Sequence, residues 1–100
     1  MRTHRLFLAV VMVWCLFLQT ASAQPPYAKW GRLAINETQK HYPQAQIIDY
    51  LHIGRESLDN NQSRENFRLW LRQNQKEWGV LVSITFDTRT EQLISIKIND

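Results

Sequence analysis

The apolar positions of the chain change their spacing near Pro43, and this change divides residues 24–100 into two parts. Between residues 27 and 41 the apolar and small residues recur at intervals of three and four, the spacing of an amphipathic helix. Pro26 fits the first turn of such a helix, and Pro43 disfavours helical geometry at the residue before it. The pattern therefore predicts one helix over residues 27–41.

The rest of the chain is dominated by alternation between apolar and polar residues, which is typical of half-buried strands. We predict four strands, at 46–54, 65–73, 78–86 and around Ile94, Ile96 and Ile98. A helix is the competing interpretation of 65–73, but strict alternation favours a strand. Turn-forming residues separate the last three strands, and Asp59-Asn60-Asn61 lies before them, so the joins are short. Strands of this length with short joins predict an antiparallel meander.

These elements predict an α+β domain in which one N-terminal helix packs on a four-stranded antiparallel sheet. The helix must cover one face, because a bare sheet would leave its apolar side in water. The first strand is the least determined element, since both of its faces are partly apolar. The side chains predicted for the inner face are Ile47, Leu51, Ile53, Phe67, Leu69, Leu71, Val80, Val82, Ile84, Phe86, Ile94, Ile96 and Ile98.

Residues 1–23 carry the pattern of a secretory signal peptide. A short basic start is followed by an uninterrupted apolar run at 6–18 and by the small residues Ala21-Ser22-Ala23. We expect cleavage between Ala23 and Gln24, a secreted product, and a single small domain over residues 24–100. A retained membrane anchor is the alternative, but the run is shorter than the roughly 20 apolar residues that span a bilayer. No stable membrane span is expected after processing.

Removal of this leader changes the charge and the available chemistry. The whole chain has 12 Lys and Arg against 9 Asp and Glu, and two of the arginines leave with the leader, so ten basic residues face nine acidic ones. A net charge of +1 gives no reason to expect a nucleic-acid partner. The only cysteine, Cys15, also lies in the leader, so the remaining domain has no disulfide, thiolate metal site or cysteine nucleophile.

Several short strings of the chain resemble a known family. They are Tyr27-Ala28-Lys29-Trp30-Gly31-Arg32-Leu33-Ala34, Tyr42-Pro43, Asp49-Tyr50-Leu51-His52-Ile53-Gly54-Arg55, Phe67-Arg68-Leu69-Trp70-Leu71 and Val82-Ser83-Ile84-Thr85-Phe86. With them the chain resembles the YqzG/YhdC-type family of short secreted Bacillus proteins of unknown function. The resemblance implies an exported protein of a Gram-positive bacterium and implies no known activity.

The order of helix and sheet is also similar to the PepSY domain, a cystatin-like module in the propeptides of secreted metalloproteases. That likeness is one of topology alone. PepSY modules commonly turn their last hairpin with glycine, whereas residues 87–92 contain none. The likeness implies, as an alternative function, an inhibitor or chaperone of secreted proteases.

The residues that could carry catalysis or bind a metal are few. The domain contains no Gly-x-Ser-x-Gly, phosphate-binding or dinucleotide-binding motif. A metal site would need His52 to converge with Asp49 or Glu56, and the simpler interpretation is that His52 is an ordinary strand residue. Asp49 could act as an acid or base if it were buried, but an ion pair with an arginine across the sheet is the preferred interpretation. We expect no enzyme activity, no cofactor and no metal.

The outer face of the predicted sheet is the unusual feature. A solvated face should be polar throughout, whereas alternation places aromatic, leucine and arginine side chains there, and these types are enriched where partners bind. Scattered exposed hydrophobic residues are the alternative interpretation. The sequence therefore predicts a small non-enzymatic binding module that contacts another protein, or a second copy as a homodimer. Its candidate contact residues are Tyr50, His52, Arg68, Trp70, Arg72, Leu81 and Leu93.

Overall fold

The computed structural model describes residues 24–100, so the predicted signal peptide lies outside the described residues. The described chain forms one helix and four strands: α1 (Ala28–His41), β1 (Gln46–Leu58), β2 (Gln62–Gln73), β3 (Lys76–Asp87) and β4 (Leu93–Asn99). The strands make an antiparallel sheet in the order β1-β2-β3-β4. The predicted α+β class and meander are confirmed. Within residues 24–100, no helix is long and apolar enough to cross a membrane.

The turns between the strands use residues that tolerate unusual backbone angles. Asn60 and Asn61 take positive φ angles of 63° and 59° between β1 and β2, and Asn74 takes 58° between β2 and β3. Asparagine is one of the few side chains that adopt this conformation readily. In the β3–β4 turn, the Asp87 side chain accepts the backbone N–H of Thr90 at 2.9 Å. These local signals explain why the meander has short joins.

The core lies between α1 and one face of the sheet. The buried helix residues form one stripe: Gly31, Ala34 and Thr38 follow at intervals of three and four, and Trp30 is adjacent to Gly31. Every inner residue predicted for β2 and β3 is buried against this stripe: Phe67, Leu69, Leu71, Val80, Val82, Ile84 and Phe86. Trp30 stacks on Phe86 with ring centroids 4.5 Å apart.

Two irregularities in β1 break the alternation on which its predicted faces depended. Ile47 is paired with Leu71, but the next pair joins Asp49 to Trp70, so Ile48 is an extra residue in the ladder. A second register shift follows between His52 and Gly54. One extra residue in a strand moves all later side chains to the opposite face.

The predicted faces of β1 are therefore wrong beyond Ile47. Tyr50 and His52, predicted on the outer face, lie opposite the buried Leu69 and Phe67 and face the helix. Leu51 and Ile53, predicted in the core, are 59% and 50% exposed.

A further shift changes the start of β4. Ser95 is paired with Thr85, and the next pair joins Leu93 to Phe86, so Ile94 is the extra residue. Leu93 was predicted on the outer face, yet it lies opposite a core residue. Ile94 was predicted in the core, yet it is 49% exposed. The rest of the strand follows the prediction, with two side chains against the core: Ile96 and Ile98.

Candidate binding surface

The outer face is the side of the sheet that points away from α1. Side chains paired across an antiparallel ladder share a face, so the register defines rows that run across the strands. One row is Leu51, Arg68, Leu81 and Asn99, and the neighbouring row is Asp49, Trp70 and Gly79.

The register places large apolar residues in neighbouring rows at one end of this face. We call Leu51, Ile53, Trp70, Leu81 and Arg68 the outer patch. Trp70 is 39% exposed, and the two β1 members are more exposed still. The structure thus places three of the predicted contact residues here, with Arg72 on the same face of β2, while Tyr50, His52 and Leu93 lie elsewhere.

Sequence reasoning missed the two members on β1 because it did not place the bulges. Gly54 was the available signal, since a lone glycine within a strand pattern suggests a bulge. It lies directly after Ile53, at the second register shift. No comparable signal marks Ile48.

Trp70 is held in one orientation by its neighbours. Its ring lies over Gly79, where an added Cβ would come within 2.9 Å of the Cζ3 atom, so only glycine permits this approach. The indole Nε1 donates a hydrogen bond to Oε1 of Glu77 at 2.7 Å. Arg72 donates to the other oxygen of the same carboxylate at 2.8 Å. The contact with Gly79 and the hydrogen bond to Glu77 therefore fix the orientation of the indole.

The carboxylate that holds Trp70 has a perturbed titration. The hydrogen bond from Trp70, followed by the one from Arg72, lowers the pKa of Glu77 below its ordinary value, because both favour the ionised form. Glu77 itself is exposed. Glu77 is therefore ionised at neutral pH and accepts both hydrogen bonds there, and protonation in acid weakens them.

Arg68 lies in the middle of the outer patch. Its register partners are Leu51 on one side and Leu81 on the other. None of the ion pairs found within residues 24–100 includes it. A guanidinium in this setting can bind a carboxylate with two parallel hydrogen bonds while its stem packs on apolar surface.

A second group of charged side chains lies on the inner face, beneath the start of α1. The Glu65 side chain is 1% exposed and lies 2.6 Å from Nε2 of His52. Arg55 donates from Nε to the other oxygen at 2.7 Å. The ring of Tyr27, at the helix start, lies 3.6 Å from the His52 ring. Burial of this carboxylate is thus compensated by two donors, and the group joins the helix start to β1 and β2.

The residues that the catalytic and metal-binding alternatives require do not lie close together. Asp49 lies on the outer face and His52 on the inner face, so they do not converge. The expected ion pair of Asp49 with an arginine is not found in the described part of the chain, and its carboxylate instead accepts the backbone N–H of Tyr50 at 2.8 Å. Over residues 24–100, no group of three His, Cys, Asp or Glu could hold a metal ion.

Comparison with known proteins places the chain in a family. The model of the family described as "Protein of unknown function (DUF3889)" matches residues 7–100. The chain belongs to this family. It is 31% identical over 71 residues to the uncharacterized protein YqzG of Bacillus subtilis (strain 168), a match that covers 71% of this chain and 65% of YqzG. The match therefore spans slightly less than two thirds of that relative.

A solved structure supports the fold of this DUF3889 member. An NMR structure of a protein from Bacillus subtilis superposes with a TM-score of 0.67 at 27% identity, and covers 81% of this chain and 88% of the other. The resemblance to a Bacillus family of unknown function is thus confirmed. No activity follows from membership of DUF3889, so function has to be argued from the chain's own surface.

Proposed function

We propose that the protein is a small non-enzymatic binding module that contacts a partner protein through the outer patch. The observation that supports this is the exposure of Leu51, Ile53 and Trp70, each at least 39% exposed, with Leu51 and Trp70 in neighbouring rows of the face opposite the helix. Exposed apolar surface of this kind contributes nothing to the stability of a small domain. Covering it recovers roughly 25 cal/mol per Å² of apolar surface.

The composition of the outer patch indicates the chemistry of the partner. Tryptophan and arginine are the residue types that most often dominate binding energy, and they do so in the centre of an interface. Here a fixed indole lies one row from the guanidinium of Arg68. The complementary surface is an apolar one with a carboxylate placed to meet Arg68.

Site-specific photo-crosslinking in the producing cell tests the proposal. A crosslinker at Leu51 should give a discrete adduct, and one at Arg32, exposed on the helix side, should not. Trp70→Ala should abolish the adduct from position 51. Equal adducts from both positions, or adducts that survive Trp70→Ala, would contradict a specific surface. An adduct with the mass of two copies would show that the partner is the same chain.

A protease inhibitor or chaperone of the PepSY type is the rival function, and the helix-then-meander topology favours it. Incubation with secreted metalloproteases separates the two. Dose-dependent inhibition that is unaffected by Trp70→Ala would favour the rival and would show that the outer patch is not the contact surface.

We also propose that the protein works outside the membrane after loss of residues 1–23. The support is the basic start, the short apolar run and the small residues before Gln24. N-terminal sequencing of the secreted species should begin at Gln24. A product that still begins at Met1 would contradict export by cleavage.

A further inference from the structure

The other end of the outer face carries a polar groove. It is lined by Arg64, Ser83, Thr85, Ser95, Lys97 and Asn99. No carboxylate is among these residues, although acidic and basic residues are almost equal in number over the domain. Its volume of ≈ 240 Å³ is several times the roughly 30 Å³ of a water molecule. The groove therefore has room for a polyatomic ion, and its lining carries a local excess of positive charge.

The register places two cations on opposite sides of a row of hydroxyls. Arg64 lies opposite Thr85, and Thr85 lies opposite Ser95. Lys97 lies opposite Ser83, one row away. Two strand spacings of about 4.8 Å and an offset of one row, about 6.8 Å along the strands, separate the backbones of the two cationic residues by roughly 12 Å. Both side chains are long enough to reach over the hydroxyls between them.

The donors of the groove are largely unused within the domain. Ser83 donates to Oδ1 of Asn66 at 2.8 Å, but no side-chain hydrogen bond among residues 24–100 uses the hydroxyl of Thr85 or Ser95. Thr85 is 7% exposed as a residue, but its hydroxyl is not among the buried side-chain atoms that lack a partner within residues 24–100, so it is accessible from the groove. It belongs to the groove lining.

The cations are also weakly compensated. Arg64 has one carboxylate nearby, Glu56, and the Nη1 to Oε1 distance of 3.9 Å is too long for a hydrogen bond. Lys97 takes part in none of the ion pairs found within residues 24–100. An anion in the groove would gain a planar guanidinium on one side, an ammonium on the other and hydroxyls beneath.

From this arrangement we propose that the groove binds a tetrahedral oxyanion, the phosphate or sulfate group of a ligand. Such a group has acceptor oxygens in several directions, which matches donors on two sides and below. A flat carboxylate can bind the guanidinium of Arg64, but its two oxygens do not also reach the ammonium and the hydroxyls. Apart from Asn99, which shares the row of Arg68 and Leu81, the groove residues lie in rows beyond the outer patch, so this site does not depend on a protein docking there.

Titration of the purified protein with inorganic phosphate, at constant ionic strength and monitored through its amide NMR resonances, tests the site. We expect saturable shifts confined to the residues around Thr85 and Lys97. Arg64→Gln and Lys97→Gln should each weaken binding by about tenfold or more, because each removes a charge-assisted hydrogen bond. Thr85→Val, which keeps the shape and removes the hydroxyl, should weaken it several-fold.

Arg32→Gln is the matched control, because it removes the same charge from an exposed position on α1. It should leave the affinity unchanged. Shifts that do not saturate, or affinities equal in the Arg32 and Arg64 variants, would overturn the proposal. Sulfate and acetate test whether the site prefers tetrahedral anions. Sulfate should bind as phosphate does, and acetate binding as tightly as phosphate would exclude a tetrahedral site. A phosphomonoester and a phosphodiester then distinguish a terminal phosphate from one within a polymer or lipid.

Discussion

Gly31→Ala gives a sharp test of the corrected face of β1. Gly31 is buried in the first turn of α1, and the hydroxyl of Tyr50 occupies the space where a Cβ would be built. An added methyl group therefore meets the phenol oxygen directly, and the ring carbon Cζ at 3.0 Å. If Tyr50 lay on the outer face, as simple alternation predicts, this space would be open.

The sign of the expected change follows from two opposing effects. Replacing glycine by alanine within a helix favours folding by about 0.8–1 kcal/mol. Inserting a methyl group into a filled site costs typically about 1–3 kcal/mol. We expect a net loss of about 1 kcal/mol, which lowers the melting temperature by roughly 4–8 °C in a domain of this size.

The double variant identifies the cause. Tyr50→Phe removes the oxygen, so Gly31→Ala should cost at least about 1 kcal/mol less in that background, a coupling typical of residues in contact. Urea unfolding followed by tryptophan fluorescence gives the free energies. Asn36→Ala, at an exposed position of the same helix, should stabilise by about 0.5 kcal/mol and controls for helix propensity. If Gly31→Ala stabilises the protein as Asn36→Ala does, Tyr50 does not lie beneath the helix.

Three further outcomes are expected. Trp70→Ala should cost about 1–2 kcal/mol in unfolding free energy, since it removes one exposed hydrogen bond and the packing of a partly exposed ring on Gly79, whereas Leu69→Ala in the core should cost about 2–5 kcal/mol; equal losses would contradict the face assignment. The pKa of Glu77 is lowered on folding, so its contribution to the free energy of unfolding is present above the ordinary glutamate pKa and is lost as pH falls through the folded pKa. The chemical shift of the Trp70 indole N–H should therefore change with a midpoint below the ordinary glutamate pKa. Glu65→Gln should cost about 1–3 kcal/mol by chemical unfolding, because it replaces a buried carboxylate that lies 2.6 Å from His52; an unchanged stability would contradict that contact.

The fold could be predicted from the sequence because most elements carry one unambiguous period. In β2 and β3 most of the apolar residues occupy one face, with Trp70 and Leu81 as the large exceptions, so period two assigns Phe67, Leu69 and their neighbours to the core. The helix stripe is equally plain, and Pro43 marks its end.

The faces of β1 could not be predicted because both carry apolar residues, so either assignment satisfies the hydrophobic pattern. The choice is made by tertiary contact: Tyr50 stacks on Phe67 with ring centroids 5.6 Å apart, and His52 lies against the buried carboxylate of Glu65. These contacts place the polar ends of two large side chains beneath the helix, an arrangement that a period-two pattern does not encode. Part of the candidate site was lost for the same reason, since Leu51 lies on the same strand.

The bulges that misled the prediction also bear on how a partner can reach this surface. β1 is an edge strand of 13 residues, and a long flat edge would invite strand addition. Extra residues at Ile48 and Ile53 interrupt its hydrogen-bonding register and increase its local twist, which is a common way to block such pairing. The extra residue at Ile48 also places Leu51 on the outer face, in the row next to that of Trp70. For the proposed partner, the disrupted edge and the exposed apolar side chains of the outer patch therefore favour binding to the face over extension of the sheet.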